Sequence, residues 1–179
     1  MTKSDRPGYL RSMLEGDLEQ VLAWRNHPEV RRWMYTTHEI SLEEHRTWFA
    51  ALLADPLRHA LIFEDAEVPL GCVNFTCLEA SPEVAHWGFY LAPDAPRGTG
   101  ASLGQAALAH AFEAMKLVRV VGEALASNSR SIAFHRRHGF SEEQLLKGHH
   151  HGADGATHDV LRFQLTRPDW IQRIQGETP

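Results

Sequence analysis

The sequence predicts an α/β fold with a mixed, mostly antiparallel central sheet that is flanked by helices. Three observations lead to this fold class. Three strand-like runs follow one another with only short turn-rich pieces between them, as in an antiparallel meander, at residues 58–64, 70–78 and 84–91. A helical stretch, an apolar strand and a second helix then alternate, at residues 101–115, 119–126 and 129–137. Two more strand-like runs follow, at 140–147 and 157–165, so the order excludes a doubly wound parallel sheet.

The composition is that of one globular domain spanning residues 1–179. Of the 179 residues, 43% are hydrophobic and 9% aromatic, and one domain usually takes roughly 100 to 200 residues. With 18 Lys and Arg against 23 Asp and Glu, the net charge is −5, which argues against a nucleic-acid or anionic-membrane partner. No apolar run approaches the roughly 18 residues of a membrane helix, and the N-terminus lacks the apolar core of a signal peptide. A cytoplasmic protein is therefore expected.

In the N-terminal half we expect a short strand, at residues 9–14, followed by three helices. Asp17 is a favourable N-cap for an amphipathic helix that stops near Pro28, and Pro28 suits the first position of a second short helix. Ser41 and Glu44 form a capping box. Behind this box, apolar and aromatic residues recur at helical spacing, at Leu42, His45, Trp48, Phe49, Leu52 and Leu53.

In the C-terminal half, glycines mark the ends of the elements. Gly139 closes the second crossover helix. The last two strands are joined by a polar segment, GHHHGADGATH at 148–158, which we expect to be an exposed loop.

The histidines at 149–151, with Asp154 and His158, are metal-ligating residue types. Nothing in the sequence holds them from two directions, so no metal is expected.

A glycine-containing loop between the meander and the first crossover helix gives the strongest local signal for function. Its residues are Arg97, Gly98, Thr99, Gly100, Ala101 and Ser102. The unpaired N–H groups of a helix N-terminus, beside glycines that admit close approach, can cradle a pyrophosphate. A P-loop needs a Gly-Lys-Ser/Thr ending and a dinucleotide fingerprint needs a third glycine at Leu103, and both are absent. An ordinary flexible turn is the structural alternative.

The loop resembles the acyl-CoA pyrophosphate loop of the GNAT superfamily of N-acetyltransferases, Arg/Gln-x-x-Gly-x-Gly/Ala, with Ser102 in the last position. A downstream segment resembles that superfamily's Asn-x-x-Ala-x-x-x-Tyr-x-x-x-Gly-Phe pattern at the same spacing, in Asn128, Ser131, His135, Gly139 and Phe140. The resemblance implies a GNAT fold and acetyl-CoA as co-substrate. Besides the loop, it implies four contacts with acetyl-CoA, from Phe89, Leu91, Asn128 and Ser131.

Acetyl transfer from a thioester to an amine needs a neutral amine, donors for the oxyanion and a proton for the thiolate. The resemblance implies that backbone groups of the strand at 86–91 hold the pantetheine arm and polarise the carbonyl. His86 stands where related enzymes often carry a glutamate base, so it is the first candidate for general base. His135, in the Tyr position, is the implied general acid, and Tyr90 is the reserve. The structural alternatives are a solvated strand histidine for His86 and a packed helix residue for His135.

A closer resemblance covers nearly the whole chain and concerns the nucleotide-sugar acetyltransferases of pseudaminic acid biosynthesis. The segments that carry it are WRN at 24–26, RxWM at 31–34, IxxxxHxxWF at 40–49, GxxNFT at 71–76, HWGFYLAP at 86–93, GTGxxLGxxALxxAF at 98–112 and NxxSIxFHxxxGF at 128–140. It implies direct acetylation of the 4-amino group of UDP-4-amino-4,6-dideoxy-N-acetyl-β-L-altrosamine, in bacteria that glycosylate flagellin or surface polysaccharide.

A UDP-sugar calls for cations, hydrogen-bond donors and a flat apolar surface. The residues available for these contacts are Arg25, His45, Asn74, Thr76 and Trp87. The alternatives are purely structural roles. Arg25 can offset a helix dipole, and His45, like Trp24 and Trp48, lies on an apolar helical stripe that can face the core.

Two other functions stay open at this point. One is a ribosomal-protein or N-terminal peptide acetyltransferase, and the other is a non-catalytic acyl-CoA-binding module. The sequence is compatible with a homodimer but does not fix the oligomeric state.

Overall fold

A computed structural model, which describes residues 8–152 and 155–176, contains seven strands in one sheet within those residues. The strands are β1 (Tyr9–Ser12), β2 (Arg58–Asp65), β3 (Val68–Leu78), β4 (Ser81–Leu91), β5 (Arg119–Leu125), β6 (Ser141–His151) and β7 (Thr157–Thr166). Their order across the sheet is β1-β2-β3-β4-β5-β7-β6. Each neighbouring pair is antiparallel except β4 and β5, which are parallel. The predicted mixed, mostly antiparallel sheet is confirmed.

The helices are α1 (Leu18–Asn26), α2 (Pro28–Arg31), α3 (Leu42–Leu53), α4 (Thr99–Ala109), α5 (Ser129–Arg137) and α6 (Arg167–Gly176). A single turn of 3₁₀-helix precedes α1, and a short π-helical segment extends α4. Among the described residues, no helix combines the length and the apolar character that a bilayer span requires.

Helices pack on both faces of the sheet and bury a separate cluster on each. On one face α4, α5 and α6 cover an aromatic cluster that includes Trp87 and Phe134. On the other face α1 and α3 cover a smaller cluster that includes Phe49 and Ile62. Because side chains alternate along a strand, β2, β3 and β4 contribute residues to both clusters.

The predicted boundaries of the helices in the first half are confirmed. Pro28 is the first residue of α2, where its missing N–H costs nothing. The Ser41 hydroxyl accepts a hydrogen bond from the Glu44 N–H at 3.1 Å, which caps α3. Asp17 is at the predicted N-cap position of α1, but its side chain does not cap that helix. Its carboxylate instead pairs with Arg11, at 2.7 and 2.8 Å.

The predicted loop between the last two strands is wrong for most of its length. β6 and β7 form a hairpin in which His150 pairs with His158 and His151 with Thr157. The three histidines at 149–151 are therefore strand residues. Asp154 lies outside the described residues. The helix α6 was also not predicted. The hydroxyl of Thr166, the last residue of β7, accepts a hydrogen bond from the Asp169 N–H at 3.4 Å and so closes its first turn.

The parallel pair β4 and β5 separates after three residue pairs, of which the last joins His86 to Val121. Beyond that point β4 stays paired with β3 as far as Leu91, whereas β5 stays paired with β7 as far as Leu125. Since each strand is held by its outer neighbour, the sheet opens between them. A Cβ on Gly122, on the β5 side, would lie 2.4 Å from His135 Nε2, so only glycine allows this close approach.

Candidate active site

The opening leaves β4 without a strand partner on its β5 side from Trp87 to Leu91. Backbone N–H and C=O groups require hydrogen-bond partners, so an extended ligand can pair with this edge as an added strand would. Phe89 and Leu91, two of the predicted acetyl-CoA contacts, are half-buried along it. The Phe89 ring packs against the Phe134 ring of α5, with ring centroids 4.3 Å apart. The Phe89 and Phe134 rings therefore form an apolar surface on one side of this edge.

The predicted pyrophosphate loop forms the N-terminus of α4. Gly98 is the N-cap at φ +94°, where a side chain would be strained, and a Cβ there would meet nothing within 4 Å. Thr99 is buried, and its hydroxyl donates to the Pro96 carbonyl at 2.8 Å, which fixes the turn. The predicted loop residues in exposed or half-exposed positions are Arg97, Gly98, Gly100, Ala101 and Ser102. The loop thus has the open space and the helix N-terminus that a pyrophosphate needs.

Asn128 and Ser131 organise the N-terminus of α5. The Asn128 side-chain oxygen accepts a hydrogen bond from the Ser131 N–H at 3.0 Å, which makes Asn128 the N-cap. The Ser131 carbonyl accepts a hydrogen bond from His135 Nδ1 at 2.8 Å. Both residues therefore hold α5 and His135 in place.

His135 is buried, with 1% of its surface exposed. Because a carbonyl can only accept, Nδ1 carries the ring hydrogen, and Nε2 accepts a hydrogen bond from the Trp87 indole N–H at 3.3 Å. The ring also stacks on Phe163, with centroids 4.6 Å apart. Burial lowers the pKa of His135 to about 4, so the ring is neutral at physiological pH. In this arrangement both ring nitrogens are engaged within the protein.

On the opposite face of the sheet, a cavity of about 240 Å³ lies between the helices and β3 and β4. Its lining includes four of the residues predicted from the sequence, Arg25, His45, Asn74 and Tyr90. Trp48 also lines the cavity, and its ring lies parallel to the His45 ring, with centroids 5.1 Å apart. The cavity therefore has a flat aromatic surface beside polar groups.

Three residues that line this cavity each carry a buried polar atom without a hydrogen-bond partner, namely Arg25 Nη1, His45 Nε2 and Asn74 Oδ1. These three are the buried side-chain nitrogen and oxygen atoms without a partner in residues 8–152 and 155–176. Leaving such an atom unpaired costs roughly 1–3 kcal/mol, and proteins generally satisfy buried polar groups. Their concentration in one cavity indicates a site that is completed by a polar ligand.

The cavity carries a desolvated positive charge. Burial lowers the pKa of Arg25, and burial together with the nearby Arg25 charge lowers the pKa of His45. Glu44 lies at the exposed rim, where it pairs with His38 at 3.0 Å. An anionic or hydroxyl-rich ligand would therefore find a cationic, hydrogen-bonding interior.

The segment at 32–41, which we call the strap, joins α2 to α3 and forms one wall of the cavity. Asn26 fixes its end through two hydrogen bonds with the backbone of Ile40, at 2.8 and 2.9 Å. Arg25 Nη2 donates to the Thr36 carbonyl at 3.2 Å. This bond orients the guanidinium, and Nη1 is left without a partner.

A second cavity of about 180 Å³ adjoins the first and shares Trp48 and Asn74 with it. Arg58, His59 and Thr76 contribute its polar lining. Thr76, predicted as an acceptor contact, is thus adjacent to the main group of predicted residues. Because Thr76 pairs with His86 across β3 and β4, this cavity lies beside the point where β4 and β5 separate.

Tyr90 and Cys72 are cross-strand partners on the cavity face. Burial first, and the adjacent Cys72 second, raise the pKa of Tyr90 well above its ordinary value of 10. Burial raises the pKa of Cys72 to about 12. Tyr90 therefore keeps its proton, and Cys72 is no source of a thiolate at neutral pH.

The structure separates the sequence-predicted residues into two groups. Arg25, His45, Asn74 and Tyr90 meet in one cavity. Trp87 does not lie there, because it points to the opposite face, is 7% exposed and stacks on Phe140 with centroids 5.1 Å apart. The prediction that Trp87 is an acceptor contact is therefore not supported by its position.

Several residues of this region were not predicted from the sequence. The apolar helical stripe suggests a core position for Trp48, but it lines both cavities, and Thr36, Ile40 and Glu44 also line the first one. The HxxW spacing of His45 and Trp48 on α3 was the available signal, since residues three apart on a helix are neighbours. In the described part of the chain, no group of three or more His, Cys, Asp or Glu residues is arranged to hold a metal ion.

Replacing His135 with Phe should reduce the acid sensitivity of the fold. The unfolded chain binds a proton at this residue near pH 6.5, whereas the folded chain binds it only near pH 4, so wild-type stability falls over that window. The stability advantage of wild type over His135→Phe is complete above about pH 6.5. It should shrink by about 2 kcal/mol at pH 5.

Urea unfolding of both proteins at pH 7.5 and pH 5 measures this difference. A stability gap that is the same at the two pH values would contradict the buried neutral state of His135.

The chain matches known acetyltransferases in sequence and in fold. The Acetyltransferase (GNAT) domain family matches residues 9–141. Acetyltransferase PseH of Campylobacter jejuni is 25% identical over 126 residues, which cover 70% of this chain and 77% of that protein, and a second strain gives the same values.

Solved structures with the same fold include spermidine N-acetyltransferase from Vibrio cholerae in complex with CoA and spermine. It superposes with a TM-score of 0.84 at 20% identity, covering 92% of this chain and 98% of that chain. A dodecameric structure of the Vibrio cholerae enzyme gives a TM-score of 0.78 at 20% identity, covering 93% and 98%. The chain therefore belongs to the GNAT acetyltransferase family and is an acetyl-CoA-dependent N-acetyltransferase.

Proposed function

We propose that this enzyme transfers the acetyl group of acetyl-CoA directly to the 4-amino group of a UDP-linked 4-amino-4,6-dideoxy sugar. The observation that carries the proposal is the cavity with three unpaired polar atoms, on Arg25, His45 and Asn74, beside the Trp48 ring. A diphosphate or sugar hydroxyl supplies partners for these atoms, and a flat ring favours a uracil or a sugar face. The resemblance to PseH supports the same acceptor and a place in pseudaminic acid biosynthesis.

The charge of the cavity disfavours a polyamine acceptor. Spermidine and spermine are polycations, and they would meet the desolvated guanidinium of Arg25. Glu44, the acidic residue in the lining, lies at the rim and pairs with His38. The spermidine acetyltransferase structures therefore support the fold of this chain and not its acceptor.

In the proposed complex, the pyrophosphate of acetyl-CoA binds at the α4 N-terminus, and its pantetheine arm binds along the open edge of β4. Acetyl-CoA supplies a thioester carbonyl that the attacking amine converts to an amide. Backbone N–H groups on the β4 edge polarise that carbonyl, as fixed donors do for a developing oxyanion. Gly98, Phe89 and Leu91 line these two places, and the helix N-terminus favours the negative charge of the pyrophosphate.

His86 is the proposed general base. It is half-exposed on the cavity face of the sheet, at the last rung before β4 and β5 separate. It takes a proton from the acceptor ammonium, and the freed nitrogen lone pair forms the C–N bond as the C–S bond breaks. Burial raises the pKa of both Cys72 and Cys77, which supports direct transfer without an acyl-cysteine intermediate.

Tyr90 is the proposed proton donor to the departing thiolate, in place of His135. Its hydroxyl is on the cavity face with His86, and it remains protonated at neutral pH. The ring hydrogen of His135 already serves the Ser131 carbonyl, and Nε2 carries no hydrogen to give. Tyr90 therefore has both the proton and the location that the step needs.

The proposal is tested by thiol release from acetyl-CoA with a UDP-4-amino-4,6-dideoxy sugar, with the product identified by mass. We expect acetylated nucleotide sugar and no turnover of the 4-keto precursor, which lacks the amine. A peptide amine tests the alternative acetyltransferase function. Acetylated peptide without acetylated sugar would contradict the proposed acceptor, and acetyl-CoA binding without any acetylated product would establish a binding module.

Replacing Arg25 with Met should weaken binding of the nucleotide sugar selectively. Hydrogen bonds to a charged group contribute roughly 1.5–3 kcal/mol, so the KM for the sugar should rise about 10- to 100-fold. The KM for acetyl-CoA should be unchanged, since Arg25 is not at the β4 edge or the α4 N-terminus. Arg31→Met is the matched control, because Arg31 lies on α2 outside the cavity lining. Equal sugar KM values in the Arg25 and Arg31 variants would contradict this role.

Replacing Tyr90 with Phe should lower kcat roughly 100-fold, the contribution typical of a general acid, with the KM for acetyl-CoA unchanged. His135→Phe, assayed at pH 7.5 where it is folded, should keep kcat within about threefold of wild type, because His135 donates no proton in the reaction. The reverse ranking of the two variants would return the general-acid role to His135.

A further inference from the structure

Glu123 of β5 lies beside the proposed base. His86 pairs with Val121, and the pleat places Glu123, two residues further along β5, on the same face as Val121 and His86. A positive charge on His86 acts on the Glu123 carboxyl, since it contributes to lowering the pKa of that carboxyl. The sequence reading did not single out Glu123.

Glu123 is held by groups from two other elements. Its Oε1 accepts hydrogen bonds from Nε and Nη2 of Arg162 on β7, at 3.0 and 2.8 Å. Its Oε2 accepts a hydrogen bond from the Tyr35 hydroxyl of the strap at 2.7 Å. Burial alone raises the pKa of Glu123, but the hydrogen bonds from Tyr35 and Arg162 outweigh burial and lower it. The carboxylate is therefore ionised and fixed in orientation.

Glu123 is unsuited to be the base itself. Both of its oxygens already accept hydrogen bonds, and a carboxyl with a lowered pKa is a poor proton acceptor. A fixed negative charge is instead what a neighbouring histidine needs at the moment when it becomes an imidazolium.

We propose that Glu123 is a positioning residue that stabilises the His86 imidazolium as it forms from the acceptor's ammonium proton. This inference rests on the proposed function, in which His86 is the general base. In the step, one ammonium N–H bond breaks, the proton moves to the imidazole, and the nitrogen keeps the electron pair that attacks the thioester. The proton later leaves His86 for solvent, so no other reactant is needed.

Other charged and titratable groups around His86 set the size of the effect. Arg119 lies two residues before Val121 on the same face of β5 and pairs with Glu143 of β6 at 3.7 Å, Arg162 is on β7 with His158 at its start, and Arg58 is on β2, opposite Thr76. Burial, followed by the neighbouring histidines, lowers the pKa of His150, whose ring stacks on Tyr35 with centroids 4.8 Å apart. Removing the Glu123 charge would leave Arg162 uncompensated next to His86. Protonation of His86 would then become less favourable.

The test is the pH profile of kcat/KM for the amino-sugar acceptor in variants of the full chain. In Glu123→Gln the acidic limb should move to lower pH, and the plateau rate should fall about tenfold because a weaker base is in use. In Arg162→Gln, which leaves the Glu123 charge unopposed, the limb should move to higher pH. Tyr35→Phe keeps both charges and should leave the limb where it is in wild type.

Opposite shifts of the acidic limb in Glu123→Gln and Arg162→Gln would distinguish an electrostatic role of Glu123 from a purely structural one. A purely structural role would lower the rate in each variant without moving the limb. Unshifted limbs in both Glu123→Gln and Arg162→Gln would overturn the inference. If Glu123→Gln does not fold, the upward shift in Arg162→Gln decides alone. The His86→Ala variant tests the proposed general base separately from the role of Glu123. Loss of the limb in His86→Ala supports the base, whereas a wild-type profile in that variant would remove both the base and this role of Glu123.

Discussion

The site depends on a parallel strand pairing that stops early. β4 and β5 share three residue pairs and are then drawn apart, because β3 holds one strand and β7 holds the other. A continuous sheet would satisfy every backbone group internally and leave no room for a ligand. The early separation instead creates an unpaired edge, with a helix N-terminus and a polar cavity near it.

The two faces of the sheet divide stability from recognition. On the α4 face, the Trp87 indole N–H donates to His135 Nε2 within an aromatic cluster, so these buried ring nitrogens have partners within the protein. On the α3 face, the buried polar atoms of Arg25, His45 and Asn74 lack partners. Such atoms weaken the free protein, and in the proposed function a bound acceptor satisfies them. Residues that alternate along one strand therefore point either into the aromatic cluster or toward the face that carries the cavity.

Local sequence patterns were sufficient to predict most of the helices and strands. The capping box at Ser41, the proline at 28 and the glycines before α4 are local signals, and the structure confirms the elements that they predict. Which helices cover each face of the sheet depends on long-range packing, and no local pattern encodes it. The sequence therefore did not separate Trp87, which points to the α4 face, from Trp48, which lines both cavities. The glycine-flanked histidines at 149–151 resembled a loop, yet they pair with β7 in a hairpin.

The proposed function requires the cavity beside Trp48 to be the acceptor site. A crystal structure of the protein with CoA and a UDP-linked 4-amino-4,6-dideoxy sugar would show whether it is. We expect polar atoms of the nucleotide sugar within hydrogen-bonding distance of Arg25 Nη1, His45 Nε2 and Asn74 Oδ1, with the 4-amino nitrogen directed to the open edge of β4. A nucleotide sugar bound elsewhere, with those three atoms paired only to water, would rule out this acceptor site.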